Sequence, residues 1–147
     1  MTDGSDGGQS TDYRRKDTNQ RWVWFFVLAA GFNFCTGGAI FFHPRWSYYI
    51  AYIGMPDDST LRFWGDFGFA VLLVGVGYLI IALDLERGRG IAVLGVIAKL
   101  FDVIVLPTRW IEGLAHGIVI VPAAIDGLFC IGFIVFLFRG RATGNAK

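Results

Sequence analysis

The sequence predicts an all-α fold: an integral membrane antiparallel four-helix bundle. Three observations carry this. Four apolar stretches each approach the roughly 20 residues that cross a hydrocarbon core. The charged residues, 13 basic and 12 acidic, gather mostly before, between and after those stretches. All five tryptophans, Trp22, Trp24, Trp46, Trp64 and Trp110, fall at stretch ends, where amphipathic rings favour the headgroup layer.

The first span runs from Trp22 to Phe42 and stops at His43-Pro44. The second covers about 63–83, and the polar turn Asp84-Leu85-Glu86-Arg87-Gly88-Arg89 follows. The third covers 90–106, where Pro107-Thr108-Arg109 interrupts it, and the fourth runs over about 113–138. Stretches this continuous satisfy their backbone groups as helices, whereas an outer-membrane strand needs only about ten residues of alternating polarity. The transmembrane domain is therefore expected over 21–140, with a disordered tail over 1–20, rich in Gly, Ser, Asp and Gln, and a short tail over 141–147.

Four spans put both termini and the 84–89 turn on one side. Arg14, Arg15, Lys16, Arg21, Arg87, Arg89, Arg139, Arg141 and Lys147 lie there, against Arg45, Arg62 and Arg109 on the other. Basic residues accumulate on the cytoplasmic face, so a cell-membrane protein with both termini cytoplasmic is expected. The first apolar run is too long for a cleaved signal peptide, and no A-x-A site follows it. The near-balanced charge excludes a nucleic-acid partner as an expectation.

The most informative residues are the ones that oppose the bilayer. A charged side chain at its centre costs about 2.5–3.5 kcal/mol on insertion scales. Yet Lys99 and Asp102 lie in the third span and Asp126 in the fourth. At 1.5 Å per residue, Asn33 comes out about 18 Å from the inner edge, Lys99 about 12 Å, Asp102 about 17 Å and Asp126 about 18 Å. Helical phase aligns Ala30, Asn33 and Gly37; Gly95, Lys99 and Asp102; and Glu112, His116, Val119, Ala123, Asp126 and Cys130. Each stripe mixes small with polar residues, as packed membrane interfaces do. Asp66 follows the same habit in the second span with Ala70 and Gly77, although Arg62 one turn away draws it towards the outer vestibule.

A ligand or proton site is thus expected at Asn33, Asp66, Lys99, Asp102 and Asp126, with an outer vestibule at Arg109, Glu112 and His116. The competing reading is a structural lock in which Lys99 pairs with Asp102 and Asp126 to set helix register. Interhelical polar contacts average below about 1 kcal/mol, so a lock is weak glue for such costly groups, and a binding or proton-handling role is the default for intramembrane ionisable residues. Pro122, four residues before Asp126, predicts a kink beside that acid by freeing the carbonyl of Ile118. Gly113-x-x-x-Gly117 and Ala123-x-x-x-Gly127 are candidate close-packing motifs.

The long 43–61 connection, with Trp46, Tyr48, Tyr49 and Tyr52, suits an interfacial helix or a cap over the bundle mouth. Asp57-Asp58-Ser59-Thr60 can cap the second span. His43 and His116 are the only histidines and lie at outer ends, so neither a bis-histidine haem nor a metal centre is expected. Cys35 and Cys130 fall at depths of about 21 Å and 12 Å, which argues against a bridge between them. No phosphate loop, dinucleotide fingerprint or nucleophile elbow is present.

Gly65-Asp66, the charged 84–89 turn, Lys99 and Asp126 resemble the DoxX-like group of small four-helix membrane proteins over about residues 21–140. The resemblance implies the four-helix fold and, for some members, sulfur-compound oxidation with quinone as acceptor. Three functions follow as expectations. The first is an accessory protein that binds a quinone, a lipid or another apolar small molecule at the polar layer. The second is a proton-coupled transporter or channel subunit acting as a homo-oligomer or within a larger membrane complex. The third is a membrane redox enzyme subunit. No cofactor is specified, and the only certain partner is the lipid bilayer.

Overall fold

The computed structural model describes residues 6–139. These form α1 (Asp6–Phe42), α2 (Pro44–Ala51), α3 (Asp58–Leu83), α4 (Arg89–Ile111) and α5 (Ile120–Arg139), with a 3-10 turn at Gly117–Val119 before α5. There is no β-strand among the described residues beyond one isolated bridge, Tyr52 to Ala115. Thr18–Phe42, Asp58–Leu83, Arg89–Ile111 and Gly117–Arg139 are each long and apolar enough to cross a membrane. Leu28, Leu94, Ile97, Phe101, Ile104, Leu128 and Ile131 are exposed along them, as lipid-facing side chains must be. The chain is a small multi-pass membrane protein. Residues 84–88 lie at one end of the bundle, the turn end, and α2 lies at the other, the cap end.

The helices pack in two ways. α1 lies closest against α3 because glycines face each other there. A Cβ on Gly37 would come within 2.9 Å of the Gly68 carbonyl oxygen, and one on Gly68 within 2.6 Å of the Phe41 nitrogen. Gly75 extends the contact, its absent Cβ making room for the Phe34 ring. Small residues on facing helices let backbones approach and gain dispersion contacts that lipid does not supply. Between α1 and α5 the spacing is instead set by rings. Phe26 stacks on Phe133 at 5.4 Å and meets Phe136 edge-on at 4.9 Å, while Trp22 lies 5.3 Å from Phe136. This aromatic layer fills the turn-end half of the core.

Three boundaries differ from the sequence reading. α1 begins at Asp6 rather than after residue 20, because a span already nucleated propagates through flanking residues that contain no proline. Residues 1–5 and 140–147 lie outside the described residues, and with them the whole expected 141–147 tail and the first five residues of the expected 1–20 tail. α4 continues past Pro107 to Ile111, with the Thr108 hydroxyl donating to the Ile104 carbonyl at 2.8 Å in the disturbed turn. The fourth span starts four residues late. Gly113, at φ +72°, turns the chain out of the helix, and residues 114–116 run extended. Pro122 consequently stands in the first turn of α5, where a missing donor leaves no carbonyl orphaned, so the expected kink is replaced by the 3-10 to α transition.

The extended 114–116 segment closes the cap end. Ile53 donates its N–H to the Leu114 carbonyl at 3.0 Å, and His116 donates to Ala51 at 2.9 Å. Pro44 starts α2 at a position that needs no donor. The Trp64 indole donates to Ser47 Oγ at 2.9 Å, and Tyr48, Tyr52, Trp64 and Phe67 stack around it. Two loops separated by some sixty residues of sequence thus form one lid.

Candidate functional site

Three of the long helices meet in a buried polar contact at mid-span. Lys99 of α4 directs its ammonium inward, where Nζ donates to Asn33 Oδ1 of α1 at 2.8 Å and to Asp126 Oδ1 of α5 at 2.5 Å. Lys99 and Asp126 are each 4 % exposed and Asn33 is 2 % exposed. The Phe32 ring centroid lies 5.4 Å from the same nitrogen, a cation–π contact that strengthens where water is excluded. The neighbourhood follows from local sequence. Ala30 and Gly37 flank Asn33, Gly95 stands one turn before Lys99, and Ala123 one turn before Asp126. Small side chains at these positions let the polar groups reach across.

Asp102 stands next to this contact but outside it. It is half-buried and lies within electrostatic range of Asp126 and Lys99, yet it makes no ion pair with Lys99. The expected three-membered pairing is corrected accordingly: Lys99 is held by Asp126 and Asn33. The reason is phase. Asp102 is three residues beyond Lys99, and the 100° step per residue sets its carboxyl to one side of the ammonium.

Asp66 does not join the centre. It is exposed near the start of α3 and lines an open depression with Phe41, Pro44, Asp58, Leu61, Arg62 and Gly65. The buried face of α3 is Gly68, Gly75, Tyr78 and Ala82, not the stripe through Asp66, Ala70 and Gly77. Glu112 and His116 are exposed and stand in the 112–116 turn, so neither continues the α5 stripe that carries Ala123, Asp126 and Cys130. Glu112 instead accepts from Arg109 at 3.2 Å on the surface of the cap end.

The structure brings to the site two residues that the sequence reading did not assign to it. Tyr52, in the lid, has Arg109, Tyr48 and Asp102 as its electrostatic neighbours, and burial holds its hydroxyl above the ordinary phenol value of 10. Tyr78, in α3, is fully buried. Its ring rests on Gly95, where a Cβ would come within 2.9 Å of Tyr78 Cε1, and meets Phe133 at 4.8 Å between centroids. A lone tyrosine deep in an otherwise apolar stretch was the available signal. Among the close-packing motifs, Gly113 is open and Gly127 makes only ordinary contact with Val103, so the tight approach belongs to the α1–α3 glycines.

Polar groups therefore continue from the cap end to mid-span: Arg109, Tyr52, Asp102, then the Asp126–Lys99–Asn33 contact. Beyond it, towards the turn end, the core is Phe26, Tyr78, Phe133 and Phe136. No group of three or more His, Cys, Asp or Glu residues suited to a metal occurs among the described residues. Comparison with protein families, curated proteins and solved structures finds no match.

Proposed function

We propose that this chain is a proton-coupled membrane protein, whose Asp126–Lys99–Asp102 centre takes up and releases a proton through the cap end. This is the second of the readings drawn from the sequence, and the geometry favours it over an apolar ligand at the polar layer. The supporting observation is the buried ion pair between Lys99 and Asp126 with a second carboxyl, that of Asp102, beside it. If both acids ionise, the buried centre carries one uncompensated negative charge. One bound proton neutralises it, and losing that proton recreates a charge for which the site must compensate. A proton needs no cavity, only exchangeable groups, and the Asp102 carboxyl and Tyr52 hydroxyl stand on the cap-end side, with the permanently charged Arg109 beside Tyr52. The aromatic layer shuts the other side. In this conformation the centre exchanges with the cap end alone, so flux across the membrane requires the Phe26–Phe133 layer to move aside.

The proposal extends to setting. The termini are cytoplasmic, the membrane is the cell membrane, and the chain acts as an oligomer, since four spans enclose little more than their own core. Membership of the DoxX-like group is kept as part of it, on Gly65-Asp66, the 84–89 turn, Lys99 and Asp126.

The test is proton flux into vesicles that contain the purified protein and a trapped pH dye, driven by an imposed potential. Wild type should conduct, while Asp126→Asn should still fold, melt below wild type because Lys99 loses its partner, and lose the flux. If Asp126→Asn keeps the flux at mildly acid and mildly alkaline pH, the polar centre is packing alone.

One observation supports a second reading. An apolar groove of about 470 Å³ opens between α4 and α5 at the turn end, lined by Gly90, Val93, Ile97, Ile134 and Phe138, with Arg89 at its mouth. Its volume lies within the range of small-ligand sites. A quinone or lipid would lie there, separate from the polar centre. Binding of a short-chain quinone that is abolished by Ile97→Trp and untouched by Asp126→Asn would establish this reading.

A further inference from the structure

Tyr78 Oη is the one buried side-chain polar atom among the described residues that has no hydrogen-bond partner. Natural cores rarely leave a hydroxyl in that state, because an unmade bond in a low-dielectric interior is costly. The ring cannot swing away to relieve it. Gly95 and Phe133 hold it on two sides, and the residue has no exposed surface.

What the hydroxyl faces is unusual for an apolar core. Its titratable neighbours are Asp126 and Cys130 of α5 and Asp102 of α4. From α1 the surrounding cluster has Phe26, Ala29 and Ala30 fully buried and Val27 and Phe34 partly so, none of them titratable. Cys130 is turned elsewhere, its thiol directed at the Val96 carbonyl at 4.0 Å. Asp126 has Lys99 on one oxygen and the Asp102 carboxyl within hydrogen-bond reach, which leaves lone pairs free on both acids. A donor without an acceptor and carboxyls with spare lone pairs thus lie within electrostatic range of one another.

We infer that Tyr78 is part of the buried centre, donating its proton to an internal water that bridges it to the carboxyls of Asp126 and Asp102. A buried water makes about three hydrogen bonds, and one phenol with two carboxyls supplies that number. The assignment gives α3 a place in the centre, so that all four long helices contribute to it. Its role in proton exchange rests on the function proposed above; the water site itself does not. In that role Tyr78 is a positioning residue. It orients the water against the acids and makes no contact with Lys99.

The experiment is infrared spectroscopy of the full chain in lipid nanodiscs, with ring-labelled tyrosine and exchange into H2-18O. The Tyr78 band, identified by its loss in Tyr78→Phe, should show a hydrogen-bond-donating phenol. A water O–H band should shift on exchange, vanish in Tyr78→Phe and move in Asp102→Asn and Asp126→Asn. Tyr78→Phe should also melt below wild type and shift the pH midpoint of proton flux. A phenol band at the free-hydroxyl position, a water spectrum unchanged by Tyr78→Phe, or a variant that melts at or above wild type would each overturn the site. Should the water band be present while wild type carries no proton flux, the water site stands and only the proton-coupled function fails.

Discussion

Lys99 and Asp126, 27 residues apart on α4 and α5, form an ion pair in which both side chains are almost wholly withdrawn from solvent. Removing one member of such a pair leaves the other as an uncompensated buried charge, which costs about 3–5 kcal/mol. Lys99→Met should therefore lower the melting temperature in detergent markedly. Adding Asp126→Asn should restore part of the loss, because the orphaned charge is gone. Strictly additive effects would show that the two residues do not interact in the folded protein.

Glycine substitutions should separate close packing from mere composition. At Gly68 an added Cβ meets the Phe41 nitrogen, and at Gly37 it meets the Gly68 carbonyl oxygen, both backbone atoms that cannot step aside. Gly68→Ala and Gly37→Ala should each destabilise by about 1–3 kcal/mol, as overpacking does. Gly31 and Gly38 on the same helix have open space where the Cβ would go. Alanine there should be neutral or gain up to about 1 kcal/mol from helix propensity. Equal losses at all four positions would remove the case for an α1–α3 glycine contact.

The start of α3 should depend on pH through Asp57. Hydrogen bonds from Thr60, and then from Ser59, hold its carboxyl below the usual 3.8. Thr60 N–H donates at 2.7 Å and the Ser59 hydroxyl at 3.0 Å. A carboxylate whose folded value is depressed contributes stability above the unfolded value and loses it as pH falls through the folded one. At neutral pH, Asp57→Ala should speed amide exchange in the first turn of α3. That difference from wild type should fade below pH 3.8, while Asp57→Asn, which caps without titrating, should keep its protection there. A gap between Asp57→Ala and wild type that persists into acid would assign the cap to something other than the carboxylate.

The basic residues, nine on the terminal side against three on the other, predict cytoplasmic termini. A fluorescent reporter that matures only in the cytoplasm should be bright when fused after Lys147. Alkaline phosphatase at the same point should be inactive. The reverse pattern would invert the cap end and the turn end, and with them the direction of the proposed proton exchange.

The helical class and the four spans could be read from the sequence because lipid imposes a local rule. Every backbone polar group must be paired within its own segment, so length and apolarity suffice. Asn33, Lys99 and Asp126 were legible for a related reason: each is a polar residue at mid-span, and a helix carries its phase along with it. The ends were less legible. Whether Pro107 stops α4 or is absorbed, and whether α5 begins at Gly113 or beyond it, depends on hydrogen bonds to Ala51 and Ile53 of a distant loop.

Which polar groups touch was a tertiary matter. Asp66 and Tyr78 lie on the same helix, and composition favours the charged residue as the site member. The packing reverses that choice, because the Gly68–Gly75 face turns towards α1 and takes Tyr78 inside with it, leaving Asp66 outside. Asp102 and Asp126 are equivalent in sequence terms, yet only one reaches the ammonium of Lys99. Depth along a helix follows from counting residues. Rotation about the helix axis follows from the neighbour's shape, and that shape is set by side chains scores of positions away in the chain.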